Sequence, residues 1–331
     1  MKKFVNDPKQ FVPEMLKGIA LANPDTLRYV PEYNLIMRAD APREDKVSII
    51  QGSGSGHEPA HVMAVGKGML DAACRGDVFA APPMDYVYET TKLLSSPKGV
   101  VHLINNYTGD RMAFDMGREM AEAEGINVQT VLIDDDVSVK DSTWTVGRRG
   151  VAGNFFVIKA LGAASEEGRE LADLVELGKR VNSVTRTMGM ALTACTPPAK
   201  GSPLFDLGDD EMEMGVGIHG EPGRRREKLA SANDIIDELL EAVVTDLPYG
   251  QGDDVALMIN GLGGTPISEL YILYGRAHEQ LQQRGINVRR NYVGEYCTSL
   301  DMAGASLTLV KLDDELGRLL DAPAEIAARI F

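Results

Sequence analysis

The sequence predicts an α/β fold. Three short apolar runs carry that prediction: residues 46–51 (KVSIIQ), 100–105 (VVHLIN) and 128–133 (VQTVLI), each followed by polar or turn-forming residues. Runs of this length, bounded by turn signals, read as buried strands. Helical patterns lie between them, as in residues 114–124 (FDMGREMAEAE). Strands alternating with helices build an α/β sheet with parallel pairs.

The remaining elements follow along the chain. Residues 152–164 and 166–184 read as two consecutive helices. The stretch TACTPPAKGSP (residues 193–203) is rich in proline, glycine and small residues and reads as a crossing between domains. The division expected is an N-terminal α/β domain of residues 1–190 and a C-terminal α/β domain of residues 191–331. The second part opens with GVGIHGEPG (residues 215–223), then a helix over 235–245, a strand over 255–259, a helix over 268–284 and strands over 288–296 and 306–312. No tandem repeat or low-complexity segment interrupts this order.

Composition narrows the function. A chain of 331 residues with 44% hydrophobic and 25% charged residues buries a sizeable core and is not disordered. Its net charge of -15 argues against nucleic acid or an anionic membrane as the main partner, since both need a basic surface. The three cysteines, Cys74, Cys195 and Cys297, are far apart and odd in number, which fits buried thiols in a reducing cytosol. The N-terminus has no apolar signal core, and no apolar run is long enough to span a bilayer. A soluble cytoplasmic protein is expected.

The stretch GSGSGHEPAH (residues 52–61) admits three readings. H-E-x-x-H binds zinc when both histidines share a helical face. Here Pro59 suits a helix start, which leaves His57 in the loop before it and His61 as a packed or surface helix residue. No third ligand follows at metzincin spacing, so no metal is assigned. A P-loop is absent, and the G-x-G-x-x-G of Gly215, Gly217 and Gly220 follows EMEM rather than an apolar strand and runs into Pro222. The third reading is a pocket for a small polar molecule. Glycines let backbone N–H groups approach a ligand, His57 and His219 donate or accept, and Asp110 in NYTGD can serve as a base. Ligands of α/β sheets bind at the carboxyl ends of strands, where GSGSGHEP and NYTGD are expected to meet. Asp134, Asp135 and Asp136 read as a solvated loop, with a third pocket wall or a metal site as the alternative. Arg148 and Arg149 read as surface ion pairs, or as groups facing a partner's nucleotide.

Several strings together resemble one family. GSGSGHEPAH, NNYTGDRMAF, IDDDVSVKDS, GRRGVAGN, ALTACTPPAKG, EMEMGVGIHGEPG, GLGGTPISELY and EYCTSLDMAGASLTL resemble, in order across essentially the whole chain, the substrate-binding K subunit of dihydroxyacetone kinases. The resemblance implies a homodimer of chains with two α/β domains and the substrate between them. It implies that His219 binds the ketone covalently as a hemiaminal, that His57 hydrogen-bonds and activates the substrate, and that Asp110 is the base on its terminal hydroxyl. The backbone of Gly54 matches a glycine that contacts the substrate, and Ser55, Gly56 and Asn105 are assigned to substrate binding with it. None of these strings resembles the family's nucleotide domain, so the expectation is that this chain binds no cofactor. The donor, ADP recharged by a phosphotransferase system or exchangeable ATP, with magnesium, is expected on a separate L subunit. One departure stands out: dihydroxyacetone-specific members carry lysine where this chain has Asn105, which raises a four-carbon ketose such as erythrulose as a substrate. A ketose-binding transcriptional coactivator without kinase activity is the alternative of a different class, and the presence of His57 and Asp110 favours the enzyme.

Overall fold

The structure, a computed structural model, describes residues 2–139 and 147–328. The last three residues of IDDDVSVKDS, 140–142, lie outside the described residues. In the first half, α1 (Phe11–Ala22) precedes a hairpin of β1 (Leu27–Val30) and β2 (Leu35–Arg38). Then come β3 (Ser48–Ser55), β4 (Gly66–Lys67), β5 (Ala72–Val78), α2 (Met84–Leu94), β6 (Val100–Asn105), α3 (Thr108–Ala123) and β7 (Val128–Ile133). Two helices follow, α4 (Asn154–Glu166) and α5 (Leu171–Ser183), and then β8 (Thr185–Ala191), β9 (Glu211–Met214), β10 (Arg225–Lys228) and α6 (Ala232–Asp246). The last elements are β11 (Asp254–Gly261), α7 (Ile267–Gln283), β12 (Asn287–Gly294), β13 (Gly304–Lys311), α8 (Asp314–Asp321) and β14 (Glu325–Ile326), which pairs with β4.

The strands form two six-stranded sheets, ordered β1-β2-β5-β3-β6-β7 and β10-β9-β8-β13-β11-β12. In the first, β5, β3, β6 and β7 are parallel, as the alternation of strands and helices predicts. The second is mainly antiparallel, with β11–β12 its parallel pair. Period-2 alternation separates the packing on the first sheet. Ile49, Val101 and Leu103 face one core, which includes α4 and α5, while Ile50, Val100 and Ile104 face another, which includes α2 and α3.

Between the sheets sits α4. Every residue from Asn154 to Ser165 is buried, and a mainly apolar helix with no solvent face, whose Lys159 donates to the Leu319 carbonyl at 2.9 Å, belongs inside a core. Its residues share one cluster with Ile49 and Val101 of the first sheet and with Met258 and Val310 of the second. The other face of the second sheet packs Leu257, Ile259, Leu307 and Leu309 against α6 and α7.

Three expectations need correction. The glycine cluster is not a loop: β3 runs through it to Ser55, because a Cβ at Gly54 would lie 2.6 Å from the backbone nitrogen of Ala80, so the chain leaving β5 packs directly on the strand. No α-helix starts at Pro59. A single turn closes from Met63 N–H to the Pro59 carbonyl at 3.1 Å, a 3-10 turn follows at Val62–Ala64, and the chain then goes extended at Gly66, where φ is 154°. Lastly, TACTPPAKGSP does not cross between sheets. β8 already belongs to the second sheet, so the crossing is made before it, through α4 and α5.

Two helical glycines separate propensity from packing. Alanine is intrinsically better than glycine in a helix by roughly 1 kcal/mol. At Gly162 in α4, however, a Cβ would lie 2.3 Å from Met69 Cα and 2.5 Å from the Gly68 carbonyl, whereas at Gly275 in α7 nothing lies within 4 Å. Gly275→Ala is expected to raise the thermal midpoint. Gly162→Ala is expected to destabilise by about 1–3 kcal/mol, and urea unfolding of both variants checks the contrast.

Candidate active site

Loops leaving the two sheets converge on one crevice. The first sheet contributes the segment after β3 with His57, the segment after β5 with Phe79, and the β6–α3 junction with Tyr107 and Asp110. The second contributes His219 from the β9–β10 loop and Thr298 from the segment between β12 and β13. The two sets are stitched together by backbone. Leu300 N–H donates to the Gly56 carbonyl at 2.8 Å, and Thr298 N–H to the His57 carbonyl at 3.1 Å.

His57 is fully buried, and its Nδ1 lies 2.8 Å from the Thr298 carbonyl. Burial, reinforced by the charges of His219 and Arg75, pushes its pKa well below the ordinary range, so the ring is neutral. A neutral ring donating from Nδ1 carries its lone pair on Nε2. That atom is buried and has no hydrogen-bond partner among the described residues. An unpaired buried acceptor is costly unless a ligand fills it.

The support of this loop is Arg75, on β5 and fully buried. Its guanidinium donates to the Gly54 carbonyl and to His61 Nδ1, the latter at 2.7 Å, and faces Glu58 at 3.7 Å. Glu58 in turn accepts from the Gly56 N–H at 3.1 Å. His61 is thus neither on a helix nor on the surface. It is buried, and its Nε2 faces the side-chain amides of Asn154 at 3.2 Å and Asn105 at 3.4 Å. The two histidines of H-E-P-A-H turn into different environments, and among the described residues no cluster of His, Cys, Asp and Glu is arranged to hold a metal ion.

His219 stands against three rings: Tyr107 at 4.5 Å, His57 at 4.7 Å and Phe79 at 5.3 Å between centroids. Phe79, which also stacks on His57 at 5.1 Å, holds a left-handed backbone (φ 60°) rare for a non-glycine residue. Glu221 accepts from the His219 N–H at 2.9 Å and lies 2.7 Å from its Nδ1. Burial lowers the His219 pKa, but the charge and hydrogen bond of Glu221, with Asp110 beyond, outweigh it and leave the ring above its ordinary value. Burial opposes ionisation of Glu221 too, yet the neighbouring His219 and Arg149 bring it down to about 2.

Asp110, in the first turn of α3, is buried and accepts from Ser53 Oγ at 2.8 Å. Burial raises its pKa to about 6, against the opposing pull of Ser53, His219 and Arg75. The other expected binding residues have local partners. Ser55 Oγ donates to the Gly76 carbonyl at 2.9 Å, and Asn105 accepts from Gln51 Nε2 at 3.3 Å. The structure therefore gathers His57, His219 and Asp110. It adds Arg75 and Phe79, which lie in none of the quoted strings, and Glu221 and Thr298, which lie in GIHGEPG and EYCTSL but were given no role. Glu221 had a signal, as the acid two residues after His219.

The aspartate run is not a solvated loop. Asp135 accepts the N–H groups of Val151 and Gly153 at 2.8 Å, and Asp136 pairs with buried Arg149 at 2.7 Å. Arg149 also donates to the Gly215 carbonyl at 2.7 Å, so it is an interior strut rather than a surface ion pair. Arg148 pairs with Asp246 and is partly exposed. Gly215, Gly217 and Gly220 are followed by edge strand β10 and no helix, which removes the dinucleotide reading.

Known proteins resemble the chain in sequence and in fold. Residues 17–328 match the Dak1 domain family. The chain is 43% identical to the PEP-dependent dihydroxyacetone kinase, dihydroxyacetone-binding subunit DhaK, of Escherichia coli K12, over 99% of both chains. It is 39% identical to the D-erythrulose kinase of Mycolicibacterium smegmatis, over 99% of this chain and 56% of that protein. Among solved structures, the dihydroxyacetone kinase from C. freundii in complex with AMP-PNP and Mg2+ superposes with a TM-score of 0.92 and 32% identity, over 99% of this chain and 60% of that one. The dihydroxyacetone kinase operon co-activator Dha-DhaQ superposes with a TM-score of 0.91 and 35% identity, over 98% of this chain and 99% of that one.

The raised Asp110 pKa has a consequence for stability. Folding favours its protonated form, so the associated stability is full at low pH and is lost as pH rises through about 6. Asp110→Asn keeps an acceptor for Ser53 and cannot ionise. It is expected to be more stable than the parent at pH 8, by on the order of 2 kcal/mol, and equal to it near pH 4. Urea unfolding at both pH values decides this; the same difference at each would refute it.

Proposed function

The chain belongs to the Dak1 family, and from that premise we propose that it is the substrate-binding subunit of a dihydroxyacetone-type ketose kinase, capturing a short ketose on His219 and presenting its terminal hydroxyl for phosphorylation. The observation that carries this reading is the convergence of His219, His57 Nε2 and Asp110 on one crevice between the two sheets, which we take as the two domains. Imidazole nitrogen adds to a carbonyl and not to an alcohol, so capture on His219 separates ketoses from polyols of the same size. His57 Nε2, as a lone-pair acceptor, suits a substrate hydroxyl. Asp110, ionised above about pH 6, suits the proton of the attacking hydroxyl.

What remains is a phosphoryl donor. In-line transfer needs a nucleotide and magnesium, and the described residues form no cluster that would hold the metal. The full-length match to a dihydroxyacetone-binding subunit of a PEP-dependent kinase supports a donor on a separate L subunit, which brings nucleotide and magnesium to the hydroxyl at Asp110. Both the C. freundii kinase and the M. smegmatis kinase are longer than this chain, which spans 60% and 56% of them. The same reading includes a homodimer working in the cytoplasm. No helix among the described residues is long and apolar enough to cross a membrane.

Asn105 points to the range of substrates. It is fully buried, and its amide faces Gln51 and His61 rather than adding a charge to the crevice. A neutral wall there suits a four-carbon ketose such as erythrulose as well as dihydroxyacetone.

Non-denaturing intact-protein mass spectrometry with either ketose, together with 13C NMR of the ketose labelled at its carbonyl carbon, tests capture, because the captured carbon becomes tetrahedral. A ketose adduct is expected on the parent and none on His219→Ala; labelling of both proteins alike would overturn the assignment. With a matching L subunit, Asp110→Asn is expected to lower kcat by roughly 100-fold or more while the adduct still forms. The parent's rate is expected to fall below about pH 6, as Asp110 is protonated. Turnover of both ketoses tests the role of Asn105: comparable rates are expected, and a clear preference for dihydroxyacetone would sink the four-carbon reading. Capture without turnover by any L subunit would instead favour a ketose-sensing coactivator.

A further inference from the structure

Glu221 is built into the crevice more tightly than a solvent-facing acid would be. One of its oxygens accepts the His219 backbone N–H at 2.9 Å, and the other lies 2.7 Å from His219 Nδ1. Room for it is made by Gly217, where a Cβ would lie 2.0 Å from Glu221 Oε2 and 2.7 Å from Arg149 Nη1. The carboxylate and the Arg149 guanidinium therefore close on the same bare backbone position. Arg149 is itself held at 2.7 Å by Asp136 and at 2.7 Å by the Gly215 carbonyl. Asp136, Arg149, Glu221 and His219 form a line of alternating charge that begins at the end of β7 in the first sheet and ends at the nucleophile on the second.

We propose that Glu221 is the positioning residue for His219: it holds the ring's proton on Nδ1, so that Nε2 presents its lone pair to a ketose carbonyl, and it balances the charge the ring acquires on capture. This rests on the reading of His219 as the nucleophile. In the step itself, the Nε2 lone pair forms the bond to the carbonyl carbon. The π pair of the C=O bond moves to oxygen, which takes one proton from solvent. The ring keeps Nδ1–H and becomes cationic beside the Glu221 carboxylate. A buried cation without that partner would be expensive. The other groups facing His219 are Asp110, Arg149, His57, Tyr107 and Phe79. Glu221 alone among them is hydrogen-bonded to the ring among the described residues.

The same carboxylate also favours protonation of free His219, which blocks attack. Removing its charge therefore has two separable effects: the ring titrates at lower pH, and the adduct loses its counterion. Ring 15N NMR of histidine-labelled protein reads the first without any ketose, with His219 assigned by its absence in His219→Ala. In Glu221→Gln the His219 midpoint is expected to fall by about one pH unit or more. The tetrahedral 13C signal of a ketose labelled at its carbonyl carbon reads the second: adduct yield at pH 8 is expected to fall about tenfold in Glu221→Gln and to recover in part in Glu221→Asp, which keeps the charge. An unchanged midpoint together with a yield within about twofold of the parent would overturn the proposal. Absence of an adduct on the parent itself would instead remove the nucleophile reading, and the NMR midpoint would still decide whether Glu221 controls the ring.

Discussion

The geometry of the crevice depends on the burial of α4 between the two sheets. A mainly apolar helix buried on every side has no stable position except in a core, and here it joins strands of both sheets to one apolar cluster. Its start is fixed by Asp135, whose carboxylate accepts the Val151 and Gly153 N–H groups just ahead of it. From there Asn154, its first residue, reaches His61 behind the first loop. The sheets are further joined where the chain leaving β7 pairs with β8: Val137 N–H donates to the Thr187 carbonyl at 2.9 Å, and Thr187 N–H to the Asp135 carbonyl at 2.8 Å. The loops that carry His57 and His219 are thus anchored to a shared interior, and their approach follows from packing rather than from contacts of the loops alone.

Within that frame, buried charge does two kinds of work. Arg75 and Arg149 are interior guanidiniums that each bridge two acceptors, one shaping the loop before His57 and the other the loop before His219. Planar, always-charged donors suit this, since they bind several carbonyl and carboxylate oxygens in a fixed geometry. Burial also sets the acid–base groups apart. It holds His57 neutral and raises Asp110, while the Glu221 contact keeps His219 above its ordinary range. Two histidines 4.7 Å apart therefore differ in basicity, His57 being the weaker base and His219 the stronger.

Asp110 illustrates the cost of such a site. A carboxyl raised to about 6 is a better base near neutrality than an exposed one and a poorer contributor to stability there. The same trade appears at Phe79, whose left-handed backbone is held by stacking on His57. Function at this crevice draws on stability supplied by the two sheets and the helix between them.

By itself the sequence determined the order and type of most elements, because apolar period and length are local properties. The runs at 100–105 and 128–133 became strands with those bounds, and the GHEP, NYTGD and GIHGEPG strings marked the three residues that converge. It misplaced the glycine run, the turn at Pro59 and the sheet crossing, it read Asp135, Asp136 and Arg149 first as solvent-facing groups, and it put His61 on a helix. Those outcomes depend on what a residue meets across space. Gly54 is strand because the chain after β5 lies against it, and Asp136 and Arg149 are buried because each neutralises the other. The tautomer of His57, the pKa of Asp110 and the hold of Glu221 on His219 were likewise decided only in the tertiary structure. Desolvation and charge at a few ångströms set them, and both come from segments distant in the chain.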